Sequence, residues 1–181
     1  KSLFDACNTF DEFAQTVKLD ENNPKAMKYT FSQDSNIKYS DDLSQAQEIN
    51  ETANHKMIWL TIETRPDLVS HANARFWREL GVTRIEMWVQ SLFDDVLKAN
   101  KRGTSVEQIQ KSVHILRQYW FKFSFHFMPW LYQSNVEKDI QTMQKAYSDI
   151  YIKPDEIKFY PTSVIPNTEL CELYLSWEYK P

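Results

Sequence analysis

Glycine is nearly missing from this chain: 2 residues in 181, where an ordinary globular composition would supply about a dozen. Glycine normally serves turns that need positive φ and places where the backbone closely approaches a ligand. Those places must therefore be held here by other residue types. Cysteine is equally scarce. Cys7 and Cys171 are too few for a disulfide framework, which excludes a stapled secreted mini-domain and makes a reducing cytoplasm the expected setting. No apolar run reaches the ~20 residues of a membrane span and no secretory leader opens the chain, so no membrane association is expected. Basic residues are not in excess either, with 21 Lys and Arg against 25 Asp and Glu, a net charge of −4. That balance counts against tight nucleic-acid binding by this segment alone, although a basic partner region could supply it. An initiator methionine is lacking before Lys1, and no helix stop follows "WEYKP" at Pro181. An internal piece of a longer protein is therefore expected.

What remains is the composition of a globular protein, 42% hydrophobic and 25% charged, long enough for one real core. From Met57 onward the pattern alternates between strand and helix. Met57–Glu63 reads as a strand ended by Pro66, and Val69, Ala72, Phe76 and Leu80 follow at helical spacing up to Gly81. Arg84–Ser91 is a second strand, with a short helix around Phe93–Ala99. Ser105 with Gln108 forms a capping box ahead of Val106, Ile109, Val113, Leu116 and Trp120. Phe121–Met128 is a third strand. Ser134 with Glu137 is expected to cap a helix striped by Val136, Ile140, Met143, Tyr147 and Ile150, and Glu156–Pro161 is a fourth strand. Strands separated by helices of this length imply βα units and a parallel sheet. Residues 1–56 read differently. Leu3, Cys7, Phe10, Ala14 and Val17 suggest an amphipathic helix, Asp20–Asp42 a polar excursion with little order, and Leu43–His55 another helix. They are taken as part of the same domain as 57–181.

The strands share an unusual property: each has one polar face. On the third, Phe121, Phe123, Phe125 and Phe127 alternate with Lys122, Ser124, His126 and Met128. Thr61 and Glu63 on the first strand, Glu86 and Gln90 on the second, and Lys158 and Tyr160 on the fourth repeat the pattern. A parallel strand buried on both faces should instead read as a continuous apolar run. In a parallel barrel the phenylalanine faces would meet the outer helices and the polar faces would line the lumen. Barrel interiors are normally filled by branched aliphatics, so a lumen of Glu, Gln, Lys, Ser and His suggests a ligand cavity. Glu63, Gln90 and His126 stand near the C-terminal strand ends, where barrel active sites form. The alternatives are a sheet with one solvent-facing side, or polar residues satisfied among themselves. These residue types do not name the ligand.

Five segments are more specific. "LTIETRPD" (60–67), "RIEMWVQS" (84–91), "NKRG" (100–103), "FHFMPWL" (125–131) and "DEIKFYPTSVIPNTEL" (155–170) resemble, in order and spacing, the radical S-adenosylmethionine (SAM) domain of the Elongator catalytic subunit, or tRNA uridine(34) acetyltransferase, family. The resemblance implies an α/β fold, a partial parallel (β/α) barrel of radical SAM type, incomplete at both ends. It implies SAM and a [4Fe–4S] cluster as cofactors, acetyl-CoA as co-substrate and tRNA as partner, with other Elongator-like subunits or a homodimer as further candidates. By motif match the SAM contacts would be Glu63, Gln90, Arg102 and His126, with Thr61, Glu86, Lys122, Ser124, Lys158 and Tyr160 lining the cavity. Carboxylate and carboxamide groups suit ribose hydroxyls and an amino group, and an Arg fork suits a carboxylate. The implied reaction forms a carbon-centred radical on an acetyl group, which adds to C5 of the wobble uridine and gives a carboxymethyl-type product. Other readings are a radical SAM enzyme acting on a porphyrin or small molecule, and a non-catalytic tRNA-binding or assembly module.

The chain departs from that family at several positions. The three-cysteine cluster motif and the acetyltransferase domain are absent, so the segment by itself is expected to be inactive and no metal ligand is assigned within it. Thr104 replaces a usual histidine, and Gln133 and Asn167 stand at usual glycine positions. Trp59, Trp88, Trp120, Trp130 and Trp177 also stand where the family has glycine, and only Trp77 does not. That one-directional swap is what a gene reading UGA as glycine would give if translated with UGA as tryptophan. Divergence toward an aromatic-rich pocket is the other explanation.

Overall fold

The computed structural model describes residues 1–10 and 40–181, together with the backbone of two short strands between them. The chain divides into two compact units, Lys1–Leu60 and Thr61–Pro181.

In the first unit, helix α1 (Ser2–Asn8) packs against helix α2 (Leu43–Thr52), burying Phe4 and Ala46. Asn8 donates to the Ala46 carbonyl at 2.9 Å. Asp5 is buried beside them and accepts from Lys1 and from the Ser40 backbone and hydroxyl. Asp42 caps α2 by accepting from the Gln45 amide. Strands β1 (Val17–Leu19) and β2 (Met27–Tyr29) pair antiparallel. The expected first helix is therefore shorter, since Val17 stands in a strand, while Ala14 lies outside the described residues. The expected excursion contains β2 at Met27–Tyr29, where cross-strand pairing satisfies backbone groups in a way that composition does not reveal.

The second unit alternates strand and helix: β3 (Thr61–Thr64), a 3₁₀ turn (Pro66–Leu68), α3 (His71–Glu79), β4 (Arg84–Gln90), α4 (Asp94–Ala99), α5 (Val106–Gln118), β5 (Lys122–Phe127), α6 (Val136–Ser148), β6 (Glu156–Phe159) and α7 (Glu169–Leu175). All four strands are parallel, in the order β3-β4-β5-β6. This is the four-stranded part of an α/β barrel that the βα spacing predicts. β3 starts at Thr61 rather than Met57, because its partner β4 begins at Arg84, directly opposite Thr61, and leaves Ile58 and Trp59 no ladder to join.

The core lies on the phenylalanine face. Phe123, Phe125 and Phe127 with Ile85, Met87 and Val89 are buried against Val96, Leu97, Ile109, Val113 and Leu116 of α4 and α5. Two other helical stripes fall differently from expectation. α3 buries Ala74 and leaves Phe76 exposed, while α6 buries Thr142 and Ala146 and exposes Val136, Ile140 and Tyr147, with the expected Ile150 exposed in the turn beyond its end. Beside a sheet edge, small residues permit the closest helix approach, and the wider apolar stripe is left on the rim. Ser105 caps α5 through the Gln108 amide as expected. The cap of α6 is Asn135, accepting from the Lys138 amide, and Ser134 instead donates to Asp139 at 2.6 Å.

Candidate functional site

The parallel register sets the polar side chains in rows. Thr61, Arg84 and Lys122 form the first row, and Glu63, Glu86, Ser124 and Glu156 the second. His126 is paired with Lys158 one row further on. These rows bring Glu86, His126 and Lys158 together in one cluster. Lys158 Nζ donates to both Glu86 oxygens at 2.6 Å, and His126 Nε2 donates to Glu86 Oε2 at 3.0 Å. Glu86 is only 7% exposed, and burial pushes its carboxyl up; the Lys158 ammonium and His126 outweigh that and hold it below the usual carboxylate range. The Tyr160 ring meets His126 edge-on, with centroids 5.3 Å apart. Arg84, which sequence reasoning passed over, bridges Glu156 and approaches Glu86 at 3.6 Å. Its position on the same strand face was legible; its pairing was not.

The other expected residues are placed less uniformly. Glu63 faces the same side and accepts from Trp88 Nε1 at 3.0 Å. Lys122 is exposed at the start of β5 and held by Asp155 at 2.8 Å, so it does not join the Glu86 cluster. Thr61 is half-buried in the first row. Gln90 does not follow the simple alternation. The β4–β5 register passes from Met87 opposite Phe125 to Gln90 opposite Phe127, so β4 carries an extra residue, and Gln90 has φ 68°. Strand periodicity could not disclose that bulge. Arg102 follows α4 through a turn in which its amide donates to Leu97 at 3.0 Å. Burial and the neighbouring Arg65 lower the pKa of its half-buried guanidinium, with Asp67 opposing them. Its side chain has no hydrogen bond or ion pair among the described residues.

Two observations test what this face could hold. The buried Ser124 hydroxyl, beside Glu86 on this face, has no hydrogen-bond partner and is an unsatisfied polar atom there, as are the buried hydroxyls of Ser91 and Thr104 in the loops that follow. Among the described residues, no group of three His, Cys, Asp or Glu side chains is arranged to hold a metal ion. The face suits a polar organic molecule.

Residues 9–146 match the model of the radical SAM superfamily. The chain belongs to this superfamily. Its parallel strands and ordered βα units are those of a radical SAM barrel. It is 40% identical to the tRNA uridine(34) acetyltransferase of Methanocaldococcus infernus over 146 residues, which is 81% of this chain and 27% of that protein. It is 36% identical to human Elongator complex protein 3 over 141 residues, 78% of this chain and 26% of the other. The chain thus spans about a quarter of the length of these curated relatives. The solved structure of M. infernus Elp3 with an N-terminal deletion superposes with a TM-score of 0.74 at 41% identity, covering 78% of this chain and 33% of that one. Coproporphyrinogen III oxidase (HemN) from Escherichia coli shares the radical SAM fold alone, with a TM-score of 0.55 at 17% identity over 68% of this chain and 28% of that one. No helix among the described residues is long and apolar enough to cross a membrane.

Proposed function

We propose that this chain is the SAM-binding barrel segment of an enzyme that carboxymethylates C5 of the wobble uridine in tRNA, with acetyl-CoA as acyl source. The observation carrying the reading is the 40% identity to tRNA uridine(34) acetyltransferase across 81% of the chain. The polar strand face supports it. SAM, when bound with a reduced [4Fe–4S] cluster, supplies hydrogen-atom abstraction. Within this chain, Arg102 would hold the SAM carboxylate: it is half-buried, makes no side-chain hydrogen bond or ion pair among the described residues, and its desolvated charge would be relieved by an anion. Glu63 suits the amino group or ribose hydroxyls, with Gln90 and His126 at neighbouring strand ends. Glu86 keeps His126 and Lys158 oriented from below. Thr61, Ser124 and Tyr160 complete the lining. Residues 1–56 belong to the same domain in this reading, and cluster ligands and acyl-CoA contacts lie outside the segment, which alone is inactive. A reducing cytoplasm is its setting, with Elongator-like subunits or a second copy as candidate partners.

The test uses the full chain encoded by the gene, prepared anaerobically with iron, sulfide, SAM, acetyl-CoA and tRNA. Nucleoside mass spectrometry should find a carboxymethyl-type uridine at the wobble position. Release of 5′-deoxyadenosine with unmodified tRNA would instead indicate a different radical SAM substrate. Arg102→Met should weaken SAM binding about tenfold, the equivalent of about 1.4 kcal/mol, as measured by calorimetry. Unchanged affinity would remove Arg102 from the site.

A further inference from the structure

Trp88 follows Arg84 and Glu86 along the polar face of β4, and its indole N–H is spent on Glu63 at 3.0 Å. That bond occupies the carboxylate assigned above to SAM. We propose that residue 88 gates the site: tryptophan closes the seat beside Glu63, and a small residue opens it to SAM. The inference rests on reading the polar face as a SAM site. It makes Trp88 a specificity-determining residue for that ligand.

Three observations carry it. The first is chemical. Glu63 is exposed and receives its donor from an indole N–H, the place that a ribose hydroxyl or ammonium group would take. The second is packing. The Trp88 ring is 40% exposed, whereas Trp77 lies edge-on to the buried Phe121 ring at 6.4 Å. Trp88 therefore stands on the face opposite the phenylalanine core. The third is the backbone. β4 is irregular just beyond residue 88, with a register shift between Met87 and Gln90 and a left-handed Gln90. Glycine within a strand commonly marks such a bulge or a close ligand approach. Elsewhere this chain sets tryptophan on glycine-like backbone: Trp120, Trp130 and Trp177 have φ of 59°, 65° and 66°, beside 85° at Gly81 and 64° at Gly103. Residue 88 itself keeps an ordinary strand backbone, so what marks it is the bulge that it adjoins and not a left-handed φ.

The experiment titrates SAM by calorimetry into the anaerobic full chain as the Trp88 form, W88G, W88A and W88F, with thermal melts confirming that each is folded. W88G should bind at least about tenfold more tightly than the Trp88 form, a change of about 1.4 kcal/mol. W88A should lie near W88G, which keeps the test alive if glycine weakens the strand, and W88F should stay weak because a large ring remains. Equal affinity of W88G, W88A and the Trp88 form would overturn the gate while leaving the SAM reading standing. Absence of binding in every folded form would overturn the SAM reading, and the gate with it.

Discussion

Among the described residues, seven non-glycine positions have a left-handed backbone: Gln90, Lys101, Trp120, Trp130, Gln133, Asn167 and Trp177. A bulky L-residue pays roughly 1–2 kcal/mol there, and glycine does not. The clearest case follows α5. The Trp120 amide donates to Arg117 and the Phe121 amide to Leu116, both at 3.0 Å. This is the same two-bond helix ending that Gly81 makes after α3, where Gly81 donates to Arg78 and Val82 to Trp77. Trp120 is 87% exposed, so removing its ring forfeits little burial. Trp120→Gly should therefore raise stability by about 1 kcal/mol, while Trp120→Ala should gain much less, because alanine keeps the Cβ that the left-handed region disfavours. Denaturant melts of both variants check this; equal gains would assign the effect to the exposed ring instead. The gene sequence offers an independent check: the glycine reading requires UGA at 59, 88, 120, 130 and 177.

At the scale of elements, periodicity located the strands and helices from β3 to β6, but not β1, β2 or α7, and not always the side that packs. α5 presents Ile109, Val113 and Leu116 to the sheet as its sequence predicts. α6 instead buries Thr142 and Ala146, because it lies by the edge strand β6 and its broad apolar stripe runs along the rim. Ala146→Leu should consequently cost about 1–3 kcal/mol through overpacking. Ile140→Gln, at a half-exposed position, should stay within about 0.5 kcal/mol of the parent. Chemical denaturation of the two variants decides; a larger loss from Ile140→Gln would show that the stripe is covered. The shift of the α6 cap from Ser134 to Asn135 has a similar origin. Both residue types can cap, and only the contact of Ser134 with Asp139 frees Asn135 for the Lys138 amide.

For the molecule as a whole, acid is the telling perturbation. Burial raises the carboxyl of Glu86, but Lys158 and His126 bring it below its ordinary value of 4.5. Burial likewise raises Asp155, and Lys122 with the Phe123 amide brings it below its ordinary 3.8. Groups depressed in the folded state contribute stability that is present above their unfolded values and lost as pH falls through the folded ones. The melting temperature should thus hold between neutrality and about pH 5, then fall as acid reaches these carboxylates. Glu86→Gln should be less stable at neutral pH, with Lys158 left unpaired, and should show a shallower acid decline. An unchanged slope would place the acid sensitivity elsewhere.

The sequence by itself determined the βα order, the two-faced strands and the superfamily, because alternation, caps and motif spacing are local along the chain. It also carried the glycine anomaly, to which the backbone angles then gave a physical form. Tertiary structure decided the rest. Pairing of Glu86 with residues 40 and 72 positions away depends on strand register, as do the bulge that moves Gln90 out of its row and the indole over Glu63. Register is fixed by hydrogen bonds between strands distant in the chain, and no periodicity within one strand contains it.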